Sequence, residues 1–201
     1  MTEAVLRVPV RERILRTAAR LFYRHGVRAV GIDTIIARSG VAKMSLYRSF
    51  ASKDELVAAW LAERNVAFWR RWDAAVAAAG EDPRAGLEAI LDMVAARVAA
   101  PAWQGCPFLK TWAEFPEGVH PARQVIEANR VGVHVRLAAL AQATGARDPA
   151  LLADQLQVLI DGAYINGQTH GPGGPACCVA GAGRVLIAAQ IGRPDGVGAP
   201  I

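Results

Sequence analysis

Five neighbouring side chains combine hydrogen-bond donors with positive charge, as contact with a nucleic acid would require. They lie close together in the chain: Lys43, Met44, Ser45, Tyr47 and Arg48. Lysine and serine can donate to base edges in a DNA groove, whereas arginine and a tyrosine hydroxyl can reach the phosphate oxygens. This segment therefore predicts contact with double-stranded DNA.

Two short helices must position these side chains. Apolar residues recur on the inner face of each predicted helix: Ile32, Ile35 and Ile36 in the first, Leu46 and Phe50 in the second. Gly40 can end the first helix at positive φ without steric cost. Two short helices joined by a glycine turn form a helix-turn-helix, whose second helix enters the DNA major groove. A helical hairpin inside an all-α core is the alternative that so short a pattern leaves open.

Residues on both sides of the turn favour the helix-turn-helix. The whole pattern resembles the DNA-binding domain of the tetracycline-repressor (TetR) family of bacterial transcriptional regulators. The matching residues extend from a preceding helix to the start of the following one: Ala18, Phe22, Gly26, Thr34, Ile36, Ala37, Gly40, Val41, Leu46, Tyr47, Phe50, Lys53 and Leu56. The resemblance covers about the first quarter of the chain.

The resemblance implies that eight residues form the DNA-binding surface. Lys43, Met44 and Ser45 would meet base edges, Thr34, Tyr47, Arg48 and Lys53 would hold phosphates, and Ala42 completes the set. Ala42 stands where the family usually has Ser or Thr, so a helix cap is missing. Met44 stands where a small residue is usual, and it places an apolar side chain near the bases.

Positive charge is concentrated at the N-terminal end. Residues 1–50 carry ten Lys and Arg against three Asp and Glu, whereas the rest of the chain carries 13 basic and 15 acidic residues. A basic segment on a slightly acidic body is typical of a nucleic-acid-binding module attached to a regulatory domain. Four arginines line one face of the first predicted helix, as a solvated face or a partial phosphate contact: Arg13, Arg16, Arg20 and Arg24.

The sequence predicts an all-α protein of about nine helices. The expected parts are a three-helix helix-turn-helix head at 1–52, a larger ligand-binding and dimerisation body at 53–191, and a tail at 192–201. Ser52 and Glu55 form a capping box that begins a long helix, and Asp148 before Pro149 is a good N-cap for another. No apolar run approaches the roughly 20 residues of a membrane span. The N-terminus also lacks the apolar core of a signal peptide, so the expected location is cytoplasmic.

The last two long helices, at about 149–169 and 176–191, predict a homodimer. Both are apolar on more than one face, and a helix that is apolar all round must be buried. Because a terminal hairpin has little chain left to cover it, a second copy would complete a two-fold four-helix bundle. Burial within the monomer is the alternative. TetR relatives dimerise through the corresponding pair, so the resemblance implies the same arrangement.

Aromatic and polar residues of the body predict a site for a small molecule. The candidates are Trp60, Arg64, Phe68, Phe108, Trp112, Phe115, Asn129, Asp161, Tyr164 and Gln168. Binding sites are mostly apolar clefts with a few placed polar groups, and burying a strongly charged ligand here would cost more desolvation than these groups could repay. The expected inducer is therefore a lipophilic, aromatic or acyl-type molecule, with Arg64 or Gln168 at its polar end. For each single aromatic residue, an ordinary place in the core is the alternative.

The three cysteines are predicted to be reduced thiols, because their number is odd and no secretion signal precedes them. Cys177 and Cys178 lie near the expected dimer seam, and adjacent cysteines rarely bridge each other, so they are interpreted as small buried residues; a redox switch is the alternative. Cys106 could pair with His120 or His134, but their spacing is not that of a zinc site. No catalytic residue, metal ligand or cofactor is assigned. The leading hypothesis is a ligand-responsive repressor, and the alternatives are an enzyme using Cys106 with a histidine and a non-specific architectural DNA-binding protein.

Overall fold

The computed structural model describes residues 8–116 and 119–191. Within these ranges the chain contains nine α-helices, one short 3₁₀ helix and no strands, which confirms the predicted all-α class. The helices are α1 (Val10–His25), α2 (Ile32–Ser39), α3 (Lys43–Ser49), α4 (Lys53–Ala78), α5 (Pro83–Ala99), α6 (Pro107–Glu114), α7 (Pro121–Ala143), α8 (Pro149–His170) and α9 (Val179–Ile191). None of the described helices is both long and apolar enough to cross a membrane. The predicted tail at 192–201 lies outside the described residues.

The helices form two compact units. The first contains the described residues of Met1–Val66 together with those of Pro107–Glu127, and the second contains Ala67–Cys106 with the described residues of Ala128–Ile201. Helices α4 and α7 therefore contribute to both units. The functional boundary between a DNA-binding head at 1–52 and a body at 53–191 stays a prediction.

Two glycines set the ends of the first two helices in the first unit. Gly26 follows α1 with φ +83°, and Gly40 follows α2 in the left-handed conformation with φ +63°. These dihedral angles favour glycine because a Cβ atom would be strained there. The helices so arranged enclose an apolar core of buried residues, which includes Ile14, Leu15, Ala18, Phe22, Ile35, Leu46, Phe50, Leu56 and Trp60. The ring of Phe22 lies 5.6 Å from that of Trp60 between centroids, so α1 is packed against α4.

Side-chain caps fix where two long helices begin. The Ser52 Oγ accepts a hydrogen bond from the Glu55 N–H at 3.1 Å, and the Glu55 carboxylate accepts one from the Ala51 N–H at 3.0 Å. At α8, the Asp148 carboxylate accepts from the Leu151 N–H at 3.0 Å. Each bond satisfies a backbone donor that the helix itself leaves without a partner. Both predicted caps are thus present.

The second unit is held by an apolar core that joins α5, α7, α8 and α9 to part of α4. Its buried members include Trp72, Leu87, Ile90, Leu91, Val94, Val98, Leu137, Leu152, Leu156, Ile160, Val179 and Ile187. Helix α9 lies close to α5 because Gly183 has no side chain, and a Cβ atom there would come within 2.3 Å of Leu91. Arg184 adds hydrogen bonds to Glu88 at 3.2 Å and Asp92 at 2.6 Å, which raise the pKa of its guanidinium.

The start of the last helix differs from the prediction. A 3₁₀ helix occupies Pro175–Cys178, and α9 begins only at Val179. The 3₁₀ segment buries Ala176, whereas Cys177 and Cys178 are exposed in the chain. The interpretation of these two cysteines as buried residues was therefore wrong. A 3₁₀ helix turns more tightly than an α-helix, so the side chains that face the core differ from those expected of a continuous α-helix.

Candidate nucleic-acid interface and ligand-binding residues

Helix α3 presents a polar and partly apolar face away from the core. Leu46 is fully buried and anchors the helix, whereas Lys43, Met44, Tyr47 and Arg48 are exposed. Met44 is 70% exposed and Tyr47 is 43% exposed, although both side chains are large and apolar in part. This face combines two cations, a phenol hydroxyl and an apolar group that are all free to contact another surface.

The other residues predicted to meet DNA lie around α3. Thr34 is exposed on α2, and Lys53 is half-buried at the start of α4. Ala42 precedes α3 with extended backbone and no side-chain cap, as expected for alanine. The Lys43 ammonium lies 3.9 Å from the Asp33 carboxylate, and both groups are largely exposed. Because such a surface pair is weak, a phosphate or a base could replace Asp33 as the partner of Lys43.

Arg13 holds the turn between α2 and α3, a role that its place in a basic stripe does not indicate. Its Nη2 donates to the carbonyl oxygens of Ser39 at 2.9 Å and Gly40 at 2.8 Å. These are carbonyls at the C-terminal end of α2, which the helix leaves without partners and which a cationic side chain can satisfy. Arg13 therefore fixes α1 against the turn that sets the direction of α3.

We expect Arg13→Ala to weaken DNA binding and to lower the stability of the first unit, whereas Arg20→Ala should do neither. A hydrogen bond to a charged group contributes about 1.5–3 kcal/mol. The Ser39 and Gly40 carbonyls would each lose the bond that Arg13 donates. Arg20 is an exposed residue of the same helix and is the matched control. Thermal unfolding and gel-shift titration would measure the two effects. Equal behaviour of the two variants would contradict the role given to Arg13.

Helix α6 holds the segment that joins α1 to α2. The Glu114 carboxylate accepts hydrogen bonds from the backbone N–H groups of Val27 at 2.9 Å and Arg28 at 2.6 Å, and the Lys110 ammonium donates to the Tyr23 carbonyl at 2.8 Å. A Cβ atom at Gly26 would lie 3.0 Å from the same carboxylate. Movement of α6 would therefore pull directly on the end of α1. Sequence reasoning missed this contact because its partners are 86 and 87 residues apart.

Five of the ten candidate ligand-binding residues lie in the first unit, and four of them are rings with close neighbours. Trp60 and Phe108 are buried, and Arg64 is exposed. The guanidinium of Arg123 lies 4.0 Å from the Trp112 ring centroid, and Phe115 stacks on His120 at 4.1 Å. Three side-chain polar atoms here are buried without a hydrogen-bond partner among the described residues: Trp60 Nε1, Thr111 Oγ1 and His120 Nε2. Thr111 was not among the predicted residues, because a lone threonine gives no signal in a sequence.

The other five candidates lie in the second unit and are not all equivalent. Phe68 belongs to a ring cluster with Trp69 and Trp72, at centroid distances of 4.9 and 5.9 Å. Asn129 is buried. Asp161 accepts a hydrogen bond from Arg130 at 2.9 Å, so its charge already has a partner. The Gln168 amide lies over Gly105, where a Cβ atom would come within 2.3 Å of it.

Tyr164 combines a ring contact with a buried hydroxyl in the second unit. Its ring centroid is 5.9 Å from that of Trp103, and Gly167 makes room for that indole, since a Cβ atom there would come within 2.8 Å of the Trp103 ring. Burial raises the pKa of the Tyr164 phenol far above its usual range; Cys106 raises it further, and Arg71 and Arg97 oppose the shift. The phenol is therefore neutral and can donate a hydrogen bond. Trp103, the ring partner of Tyr164, was absent from the predicted set.

The histidines of the enzyme alternative have carboxylate neighbours. His120 Nε2 lies 3.2 Å from Asp54 in the first unit, and His134 Nε2 lies 2.9 Å from Asp154 in the second. In the parts of the chain that the structure describes, no group of three or more His, Cys, Asp or Glu residues could hold a metal ion.

An apolar surface runs along α8 and α9. Three large side chains of α8 are exposed at seven-residue spacing, Leu151, Val158 and Ile165, and Val185 of α9 is 69% exposed. Val158 is 73% exposed and lines a shallow groove with Leu159 and Leu186, which Asp154 and Gln155 border. Residues seven apart lie on the same face of a helix, so Leu151, Val158 and Ile165 form one stripe on α8. We call this stripe, together with the exposed Val185 of α9, the α8–α9 face.

Comparison with known proteins gives matches at both the local and the global level. Residues 14–60 match the family model described as bacterial regulatory proteins, tetR family. The uncharacterised HTH-type transcriptional regulator YxaF of Bacillus subtilis (strain 168) is 49% identical over 47 residues. That match covers 23% of this chain and 25% of the length of YxaF.

Many solved structures match this chain, among them two that cover most of it. SCO4454, a TetR-family transcriptional regulator from Streptomyces coelicolor, has a TM-score of 0.80 and 27% identity, with coverage of 90% of this chain and 94% of its own. The sav143 protein of Streptomyces avermitilis, assigned to the TetR transcriptional regulators, has a TM-score of 0.71 and 36% identity. Its match covers 82% of this chain and 88% of sav143.

Proposed function

The chain belongs to the TetR family of bacterial transcriptional regulators, and from that premise we propose that it is a homodimeric repressor that releases its operator on binding a small lipophilic molecule. The observation that carries the proposal is the face of α3, where Lys43, Met44, Tyr47 and Arg48 are exposed around the buried anchor Leu46. A basic helix presented in this way after a tight turn suits the DNA major groove.

In the proposed complex α3 lies in the major groove of a palindromic operator. Lys43, Met44 and Ser45 contact base edges, whereas Tyr47, Arg48 and Lys53 hold phosphates and set the register. Thr34 adds a phosphate contact from α2. Two heads of a dimer would then enter successive major grooves roughly 34–36 Å apart.

The assigned roles predict different effects of three alanine substitutions. Tyr47→Ala and Lys53→Ala should weaken binding to operator and random DNA alike, because both residues hold phosphates. Lys43→Ala should weaken operator binding more, because a base contact is worth about 1–3 kcal/mol of discrimination. Each lost phosphate contact of a cation should also lower the salt slope of log K by about 0.9.

Gel-shift titrations at several salt concentrations would measure these effects on a selected palindrome and on random DNA. Arg70→Ala, which removes an exposed cation of α4 in the second unit, is the control and should bind as wild type. Equal losses from all three substitutions on both DNAs would contradict the roles and would favour the non-specific architectural alternative.

The proposed dimer forms through the α8–α9 face. Support comes from its row of exposed valine, leucine and isoleucine side chains. Exposure of apolar surface to water is unfavourable, and a second copy of the chain could cover it. Gly181, which is exposed on α9 with open space where a Cβ atom would lie, would allow two copies to approach closely. The apolar area removed from water would supply the main stabilisation.

The proposed inducer carries an apolar body and one polar end. Support comes from the Trp103–Tyr164 ring pair and from the neutral, buried Tyr164 hydroxyl, which can donate to an acceptor such as a carbonyl or carboxylate. Arg71 and Arg97, the cations whose charges act on Tyr164, would favour a carboxylate at that end.

The proposed release of DNA is a shift in population. Helix α4 is continuous from Lys53 to Ala78, and α6 holds the end of α1 through Glu114 and Lys110. A ligand that prefers a wider separation of the two heads would therefore favour a form that no longer fits the operator. The ligand can change the free-energy difference between the two forms by no more than the difference between its binding free energies for them.

A further inference from the structure

Two exposed thiols lie side by side at the loop between α8 and α9. Cys177 and Cys178 end the 3₁₀ helix, both side chains are exposed, and their Sγ atoms are 4.0 Å apart. Most adjacent residues of a helix point in different directions, so this proximity reflects the rotamers that the two side chains adopt. The third cysteine, Cys106, is half-buried and has no cysteine beside it in the sequence.

The geometry disfavours a direct disulfide between the two sulfurs. Consecutive Cα atoms are about 3.8 Å apart across a trans peptide, whereas disulfides usually join Cα atoms about 4.4–6.8 Å apart. A single atom placed between the sulfurs removes this conflict. An atom about 2.3 Å from each sulfur, as in a zinc–thiolate bond, fits between two sulfurs that are 4.0 Å apart.

We infer that Cys177 and Cys178 form a chelating site for trivalent arsenicals, which bond to two thiols at once. Arsenic(III) is a soft acceptor and prefers sulfur to the oxygen and nitrogen ligands of other side chains. With an organic arsenoxide, two arsenic–sulfur bonds form and the arsenic–oxygen bond is lost. The oxygen leaves as water with the two thiol protons, and neither arsenic nor sulfur changes its oxidation state.

The state of the thiols suits this reaction. The hydrogen bond between the two thiols raises the pKa of the Cys178 thiol, so Cys178 carries one of the protons that leave as water. A dithiol closes a ring around arsenic, and the second bond forms within one molecule. Such chelation strengthens binding by about 10²–10⁴-fold over a single thiol. The inference goes beyond the proposed function and does not depend on DNA binding or on an inducer.

The test uses phenylarsine oxide and the native, reduced, full-length protein. Intact-mass spectrometry should show one phenylarsenic group per chain, and a thiol count should fall from three to one. Cys177→Ser and Cys178→Ser should each lose at least about 100-fold in affinity for the reagent, and Cys106→Ser should keep the wild-type adduct. The two exposed serine variants should also keep the circular dichroism of wild type.

The reversal of the adduct is a second readout. Excess 2,3-dimercaptopropanol should remove the arsenical, whereas the same thiol concentration of 2-mercaptoethanol should leave most of it bound. The inference would be overturned by an adduct that survives Cys178→Ser, or by native protein that takes up no reagent while the unfolded chain does. The second result would mean that the folded protein covers the pair or holds the sulfurs apart.

Discussion

Val185→Arg is expected to turn the proposed dimer into a monomer and to weaken operator binding by about 10²–10⁴-fold, the gain that two linked heads provide over one. Val185 lies on the α8–α9 face and is 69% exposed in the single chain. In the proposed dimer an arginine there would be buried without a partner. Such a charge costs several kcal/mol by order of magnitude, enough to shift the proposed equilibrium toward monomer.

Sedimentation velocity would measure the oligomeric state, and gel-shift titration on the palindrome would measure affinity. Val66→Arg is the matched control, since Val66 is an exposed valine of α4 and should accept the same charge without effect. Ala182→Arg tests the face at a second exposed position of α9. If both α9 variants stayed dimeric and bound normally, the interface would have to lie elsewhere.

The helix-turn-helix could be predicted from the sequence because its determinants are local. Gly40 ends α2 in the left-handed conformation, and Leu46 is buried where the spacing places it. The capping box at Ser52 and the cap at Asp148 depend on residues three positions apart. Signals of this kind lie within one or two helical turns, so they need no knowledge of the folded chain.

The contacts that hold the head together could not be predicted, because they join distant parts of the chain. Arg13 reaches carbonyls 26 and 27 positions away, and Glu114 reaches backbone donors 86 and 87 positions away. A basic stripe on a helix looks the same whether its arginines are solvated or bonded. Only the packing of α1 on the turn separates Arg13 from Arg20.

The candidate ligand-binding residues are the hardest to predict, because an aromatic side chain suits a core and a cleft equally well. Trp60 packs against Phe22, and Trp112 lies under the Arg123 guanidinium. Asp161 forms an ion pair with Arg130. Trp103, which pairs with Tyr164, sits in an irregular segment before α6 where no periodic pattern exists. The sequence indicates which residue types such a site would contain, but tertiary contacts determine which of those residues line it.

Tyr164→Ala is expected to raise the inducer concentration needed for operator release by about 100-fold, and Tyr164→Phe by about tenfold. The phenylalanine variant removes only the hydroxyl, and a hydrogen bond is worth about 0.5–1.5 kcal/mol, close to the roughly 1.4 kcal/mol of a tenfold change. The alanine variant also removes the ring that packs on Trp103. Aromatic pairs contribute about 0.5–1.5 kcal/mol beyond the area they bury, so the second loss adds to the first.

Operator affinity without inducer should stay close to wild type in both variants, because α3 belongs to the first unit and Tyr164 to the second. Tyr23→Phe, at a half-buried tyrosine of α1, is the control and should leave the inducer response unchanged. Operator release would be measured against a panel of aromatic acids, acyl compounds and small, highly charged metabolites. Removal of the phenol should affect the carboxylate- or carbonyl-bearing lipophilic compounds, since only these can place an acceptor at the Tyr164 hydroxyl while burying an apolar body. A wild-type response confined to the highly charged metabolites would contradict this ligand class, because burying a strongly charged compound would cost more desolvation than the phenol, the indole and the charges of Arg71 and Arg97 could repay.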